Sequence, residues 1–271
     1  MIRVELLKLF RRPRTWMTIA LLDALPTIVA ILLALTGVGP RPGQGPAFLS
    51  AVLSNGSLFA VAALAIVLPL FLPVAVAVVA GDTIAGEAQS GTLRYLLIRP
   101  VGRTRLLVAK LVSVFAFVLV AVVAVAGTGY FVGRLLLGTQ PASTAVTSVS
   151  GTSLTSGQIT VRTLIAIGYV AFSMLGVAAV ALFLSTVTDS ALSASMGALA
   201  ILIGSSLLIT LDASRALQPY LPTRYWLSFI DLFRDPILWR NVLRGVALQG
   251  VYVGVLLGAA WANFTTKDIT S

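Results

Sequence analysis

With 58% apolar and 10% charged residues over 271 positions, and a mean hydropathy of +1.00, the chain has too little charge for an aqueous surface; a soluble domain carries about 25%. It contains neither cysteine nor histidine, which excludes disulfides, Cys/His zinc sites, histidine general bases and Ser-His-Asp triads. The net charge of +10 comes from Lys and Arg gathered at the ends of apolar runs, where an anionic membrane surface accounts for them, so the bilayer is the expected partner and nucleic acid is not.

The chain opens with Arg3, Lys8, Arg11, Arg12 and Arg14 interleaved with Ile2, Leu6, Leu9 and Phe10. At helical spacing the four apolar side chains share one face, and Lys8, Arg11 and Arg12 share the other. That pattern predicts a helix in the interface plane over 1–15, ended by Pro13. The apolar run over 16–37 exceeds the roughly 7–15 residues of a signal-peptide core, so it reads as an uncleaved first span. Asp23 and Pro26 fall inside it, and an acid within a span marks either structural pairing or a transport pathway.

A Gly/Pro loop with Arg41 leads to a second span over 58–80. Asn55-Gly56-Ser57 fits a glycosylation sequon, a three-residue match of little weight. Pro69 and Pro73, four apart on one face, predict a kink that serves either packing or a pathway.

Residues 81–105 are polar yet patterned: Asp82, Glu87, a flexible Gly91, Thr92, an apolar run from Leu93 through Leu97 to Ile98, and Pro100 as a stop. Arg94 and Arg99 lie within the pattern, and Arg103, Arg105 and Lys110 follow it. A plain connector needs none of this, so the segment reads as a docking surface on the face that retains positive charge. Gly81-x4-Gly86 resembles the opening of a phosphate loop, but Glu87-Ala88 replaces the required Lys-Ser/Thr, and an acid there repels phosphates.

A third span is expected over 106–136, then an uncharged Ser/Thr/Gly stretch at 138–161 that reads as a flexible exposed loop. Residues 162–211 are too long for one crossing and divide at the polar turn 185–190, giving spans over 162–185 and 190–211. Residues 212–244 mix arginine, aspartate and aromatics, which suits short re-entrant or interfacial helices. A last span over 246–263 ends in Phe264, Lys267 and Asp268.

Six spans with both termini inside place 11 Lys/Arg inside against 8 outside. Five spans, with 212–244 inside, score 15 against 4. The early loops usually dominate orientation, and the 162–211 stretch is wasted on one crossing, so six spans are expected despite the arithmetic.

Taken together, the basic amphipathic start, the six spans, Glu87-x-x-x-Gly91-Thr92-Leu93 with Leu96-Leu97 and Pro100-Val101, Leu221-Pro-Thr-Arg-Tyr-Trp226, and the Phe264/Lys267-Asp268 tail resemble the permease subunit of an ABC-2 type ABC transporter. The resemblance implies an all-α polytopic fold in one transmembrane domain, 1–271, with a connecting helix at 1–15, a cytoplasmic coupling helix after the second span and short outer helices before the last.

It also implies a second permease copy or close paralogue, two separate ABC ATPase subunits holding ATP and Mg, and a bacterial cell membrane as the location, with both termini cytoplasmic. Export is implied by the resemblance alone. Asp82, Glu87, Gly91, Thr92, Leu93, Arg94, Leu97 and Arg99 then face the ATPase, with Glu87 as the coupling-helix acid. Exchange of Glu87 for Arg is expected to leave membrane insertion intact. Asp23, Pro26, Pro69 and Pro73 are the pathway candidates. The chain itself offers no catalytic, cofactor or metal site. Two alternatives stand beside this reading: a membrane scaffold or sensor whose 81–110 loop docks another cytoplasmic partner, and an intramembrane enzyme, which a single clear in-span acid disfavours.

Overall fold

An unpaired peptide group in hydrocarbon costs several kcal/mol, so a chain this apolar closes its backbone hydrogen bonds within helices. The computed structural model describes residues 1–37, 52–53, 55–91, 102–138, 146–147 and 153–266. Its helices are α1 (Ile2–Arg11), α2 (Pro13–Thr36), α3 (Phe59–Val67, entered through a 3-10 turn at Gly56–Leu58), α4 (Phe71–Asp82), α5 (Ala85–Gln89), α6 (Arg103–Leu136), α7 (Ser156–Val187), α8 (Ala191–Thr210) and α9 (Trp239–Thr266). A ladder of two-residue strands, Val146–Thr147 against Ser153–Leu154, stands beside this otherwise all-α, polytopic architecture.

Five of these helices, α2, α6, α7, α8 and α9, are long and apolar enough to cross a membrane alone. A sixth crossing is available to Gly56–Val67 with Phe71–Asp82, a pair bent by 60°. The expected span over 58–80 is therefore not one helix. Pro69 lies in the break and Pro73 in the first turn of α4, positions at which a missing N–H forfeits no intrahelical bond. A kink was predictable from these prolines; a full interruption was not.

Other boundaries move outward. The first span starts at Pro13, the third at Arg103, and the last runs over Trp239–Thr266 instead of 246–263. The fourth begins at Ser156, inside the stretch read as a loop, because Thr155 and Gln158 form a reciprocal capping box. The polar turn stands as read: α7 ends at Val187, and Ser190 caps α8 by accepting from the Ser193 N–H. Asn55 needs no glycan to explain it, since its side chain caps the 3-10 turn through the Ser57 N–H.

Packing puts α7 at the centre and leaves α9 the most exposed of the long helices. Chain ends sort cleanly. Arg103 at the start of α6 donates to the Phe264 and Thr265 carbonyls at the end of α9 (3.3 and 3.0 Å), and Asn263 donates to the Thr186 carbonyl (3.0 Å). Lys110 of α6 reaches Glu5 of α1. The described N- and C-terminal helices thus meet at one end of the bundle. A small apolar cluster of Ile84, Leu106, Leu107, Leu182 and Phe264 seals that end.

At the opposite end, residues 212–233 form three 3-10 segments, Asp212–Ser214, Gln218–Tyr220 and Trp226–Phe233. This segment is stitched to the bundle by its own backbone. The Tyr220, Pro222 and Tyr225 carbonyls accept from Tyr252, Gln249 and Tyr169, and Thr223 meets Ser205. It dips back among α7, α8 and α9 rather than lying flat.

α3 and α6 cross where small residues let backbones approach. A Cβ at Gly133 would overlap the Gly56 carbonyl and lie 2.5 Å from the Phe59 Cβ, whereas one at Gly127 meets nothing within 4 Å. Gly133→Ala is expected to cost about 1–3 kcal/mol through overpacking, and Gly127→Ala to be neutral or stabilising by about 0.5–1 kcal/mol. Thermal unfolding of the detergent-solubilised protein checks both, and equal midpoints refute the close crossing.

Candidate functional site

The α1 end holds the densest constellation of charge in the described protein. Arg12 precedes a proline, which disfavours helix there and turns the chain from α1 into α2. Glu5 and Lys8 stand one turn apart on α1, and Arg12 follows at the junction with α2. The side chains of Lys8 and Arg12 are 39% and 44% exposed, yet their charged ends find acids. Both turn toward the protein, Lys8 to Glu87 of α5 and Arg12 to Asp82 at the end of α4 (3.1 Å).

Lys110, 1% exposed two turns into α6, lies 2.8 Å from Glu87 and 3.6 Å from Glu5. Two acids and two lysines thus close on one another, Lys110 and Glu87 buried and Lys8 partly open to solvent, and the net charge of the group is zero. Burial alone pushes the Glu87 carboxyl up, but the Lys110 and Lys8 ammonium groups outweigh it and hold the carboxyl below the usual glutamate range.

The short helix carrying Glu87 is fastened on its other sides as well. Ser185 near the end of α7 accepts from the Ile84 and Ala85 N–H groups (3.2 and 2.9 Å) and donates to the Gly81 carbonyl (2.7 Å). One hydroxyl thereby bridges the end of α4 and the start of α5. The Ala191 N–H at the start of α8 reaches Gln89 (3.4 Å). Gly81 and Gly86 are packing glycines, since a Cβ would overlap Ser195 at the first and Asp82 at the second. Gly81 and Gly86 belong to helices, and the segment does not form the open loop that cradles phosphates; with Glu87-Ala88 beside them, the residues do not fit a nucleotide.

The structure therefore joins Asp82 and Glu87 of the expected docking set into one lattice. Gly91, at φ 69°, takes the left-handed conformation just beyond α5. Thr92, Leu93, Arg94, Leu97 and Arg99 lie outside the described residues. The nearby Arg94 and Arg99 suggest a local ion pair for Glu87, yet its described partners come from 79 and 23 positions away. Lys8, Lys110, Glu5 and Ser185 were not picked out as site residues. The signal for Lys110 was its setting, Leu-Leu-Val-Ala-Lys-Leu-Val, in which a lysine must find an acid.

The four pathway candidates separate. Asp23 is half-buried in α2 and accepts from Thr128 of α6 (3.0 Å), and Pro26 is buried in the same helix. Pro69 and Pro73 instead line a largely apolar cavity of about 220 Å³ between the break and α8, with Leu202, Ser206 and Trp226. The Trp226 indole N–H is buried without an acceptor among the described residues.

Residues 1–192 match the family described as ABC-2 family transporter protein, a stretch that carries every member of the charged lattice. A comparison with curated proteins finds no match.

Because the folded Glu87 pKa lies below the ordinary value of 4.5, the lattice stabilises fully above that pH and is lost as pH falls through the depressed pKa. Thermal midpoints should drop below about pH 4.5 in the wild type and change less in Glu87→Gln. Lys110→Met leaves two acids sharing Lys8 alone and is expected to cost about 3–5 kcal/mol, with the Glu87→Gln/Lys110→Met pair costing less than the sum of its parts. Additive costs would mean that the two residues act separately. Glu87→Arg, which the sequence suggests is harmless to insertion, sets a third cation in the lattice and should lower the yield of folded protein.

Proposed function

The chain belongs to the ABC-2 transporter family, and from that premise we propose that it is the membrane-spanning permease subunit of an ATP-driven exporter. Two copies, or this chain and a close paralogue, form the pathway, and two separate ATPase subunits bind the α1 end. That end is cytoplasmic, so both termini are cytoplasmic in the cell membrane of a bacterium. The chain holds no cofactor of its own; ATP and Mg belong to the ATPase.

One observation carries the reading. A broken span, α3–α4, ends in a short helix bound by Glu87 and Ser185 to α1, α6 and α7. Force applied to α5 and the docking segment beyond it reaches those helices together, because α1 and α6 are held to it by ion pairs and α7 by the Ser185 hydrogen bonds. The same broken span lines the cavity with Pro69 and Pro73 at its bend. A push at α5 acts on α4 along its axis and on the cavity wall above. Apolar molecules carrying one hydrogen-bond acceptor suit that wall, with Trp226 as the donor.

In this scheme Glu87 is a positioning residue. It sits inside the protein, holding the docking segment against the bundle, instead of pairing with the ATPase directly. Purified alone, the chain should neither bind nor hydrolyse ATP. Tagged and purified from its own host, it should bring down an ATPase with an intact phosphate-binding loop. In that complex Glu87→Gln should assemble and hydrolyse ATP, while substrate-stimulated hydrolysis falls by about tenfold, a typical coupling between sites. Unchanged stimulation in Glu87→Gln would remove the lattice from coupling. Recovery of a different cytoplasmic protein in place of an ATPase would instead favour the scaffold or sensor reading.

A further inference from the structure

The end of the bundle opposite α1 carries more positive charge than the fold uses. Its acids are all engaged: Asp212 with Arg215 (2.8 Å), Asp231 with Arg234 (2.8 Å) and Asn241 (3.0 Å), and Asp235 with Arg162 (3.9 Å). Arg134 lies over the Tyr130 ring and donates to its hydroxyl. The stretches that connect helix ends there, 38–54 and 139–152, contain no acidic residue. Arg224, Arg240 and Arg244 are left exposed, with no ion pair among the described residues.

Their placement is not that of scattered surface charges. Arg240 and Arg244 stand one turn apart on the first turns of α9, a spacing at which like charges repel. Tyr225 packs on Gly245, its Cβ 2.9 Å from where a side-chain carbon would begin, so the backbone that carries Arg224 passes the first turns of α9. Nothing in the sequence at this end neutralises the three. An anion from outside the chain is the remaining source of counter-charge.

The neighbouring side chains say what kind of anion. Leu243 lies between the two arginines and is 61% exposed, and Trp239 and Leu238 just before them are 46% exposed. Apolar surface of that extent is stable against hydrocarbon, tryptophan marks the boundary of the bilayer, and arginine extends its charge from there toward phosphates. A soluble anion would satisfy the arginines and leave Leu243 in water. An amphiphile satisfies both.

We propose that Arg240, Arg244 and Arg224 hold the phosphate of an anionic lipid headgroup at the bilayer boundary opposite α1, with the acyl chain running down the exposed face of α9. Guanidinium groups are suited to this because their planar donors meet phosphate oxygens two at a time. The site explains why this segment distorts the positive-inside count: its surplus charge serves a ligand. It is independent of the transport reading and would stand if no ATPase bound the chain.

The test uses the full chain in detergent, titrated with phosphatidylglycerol and, separately, phosphatidylcholine, with bound lipid counted by native mass spectrometry. The wild type should retain phosphatidylglycerol in preference to phosphatidylcholine. Arg240→Gln/Arg244→Gln should weaken that retention about tenfold, and Arg240→Lys/Arg244→Lys should restore part of it. Arg3→Gln/Arg11→Gln, at the other end, should leave the lost fraction in place. Circular dichroism verifies that each variant is folded. Equal retention of the two lipids, or wild-type retention by Arg240→Gln/Arg244→Gln, overturns the proposal. Inorganic phosphate is the second probe: displacement of the lipid only at far higher phosphate concentration supports a headgroup site, whereas phosphate binding as tight as that of the lipid overturns it in favour of a free anion.

Discussion

A lysine two turns into an apolar helix must be met by an acid, and the α1 end of this protein is arranged around meeting Lys110. Glu87 supplies the carboxylate at 2.8 Å, Glu5 a second one, and Lys8 restores neutrality. Removing either charge alone leaves the group with an uncompensated charge in a medium that penalises it, whereas removing both together keeps the balance. The lattice is therefore better understood as a specification than as a source of stability. It dictates which helices sit beside α5 and in what register.

The two halves of the broken span inherit that specification differently. Below the break, α4 is tied to α7 through Ser185 and to α1 through Asp82 and Arg12. Above it, α3 rests on α6 at the glycine contacts of Gly129 and Gly133. The bend at Leu68–Leu70 is free of both sets of ties, and the cavity opens there. Rigidity at two ends with a proline hinge between them is an arrangement that permits one half to move while the other is held.

Much of this was legible in the sequence, for identifiable reasons. Long apolar runs mark helices because hydrocarbon allows little else, and the turn at 185–190 stood out because polar residues interrupt such a run. Pro69 and Pro73 announced a kink, since proline has a fixed effect on a helix. Glu87 stood out as an acid in a patterned segment. Its partners did not, because Lys8 and Lys110 are neighbours only after folding, while Arg94 and Arg99 are neighbours in the chain. Charge counting is blind to the fold for a related reason. It treats Arg162, Arg215 and Arg234 as free cations, when the fold pairs each with an aspartate. Charge rules read totals, and here some of the counted cations are paired while others, Arg224, Arg240 and Arg244, have no ion pair among the described residues.

The long helices differ in length by more than a third, and this has a bearing on the membrane itself. At 1.5 Å per residue, the 34-residue α6 and 32-residue α7 reach about 50 Å, well beyond a hydrocarbon layer of about 30 Å, whereas the 20-residue α8 matches that layer with nothing to spare. α6 and α7 absorb a change in bilayer thickness by sliding ends that already stand in the headgroups. α8 has no such reserve, and its polar ends at Ser190 and Thr210 are drawn toward the lipid tails as the bilayer thickens. Hydrophobic mismatch therefore falls first on the helix that forms one wall of the cavity, and acyl-chain length becomes a variable to which that cavity is directly exposed.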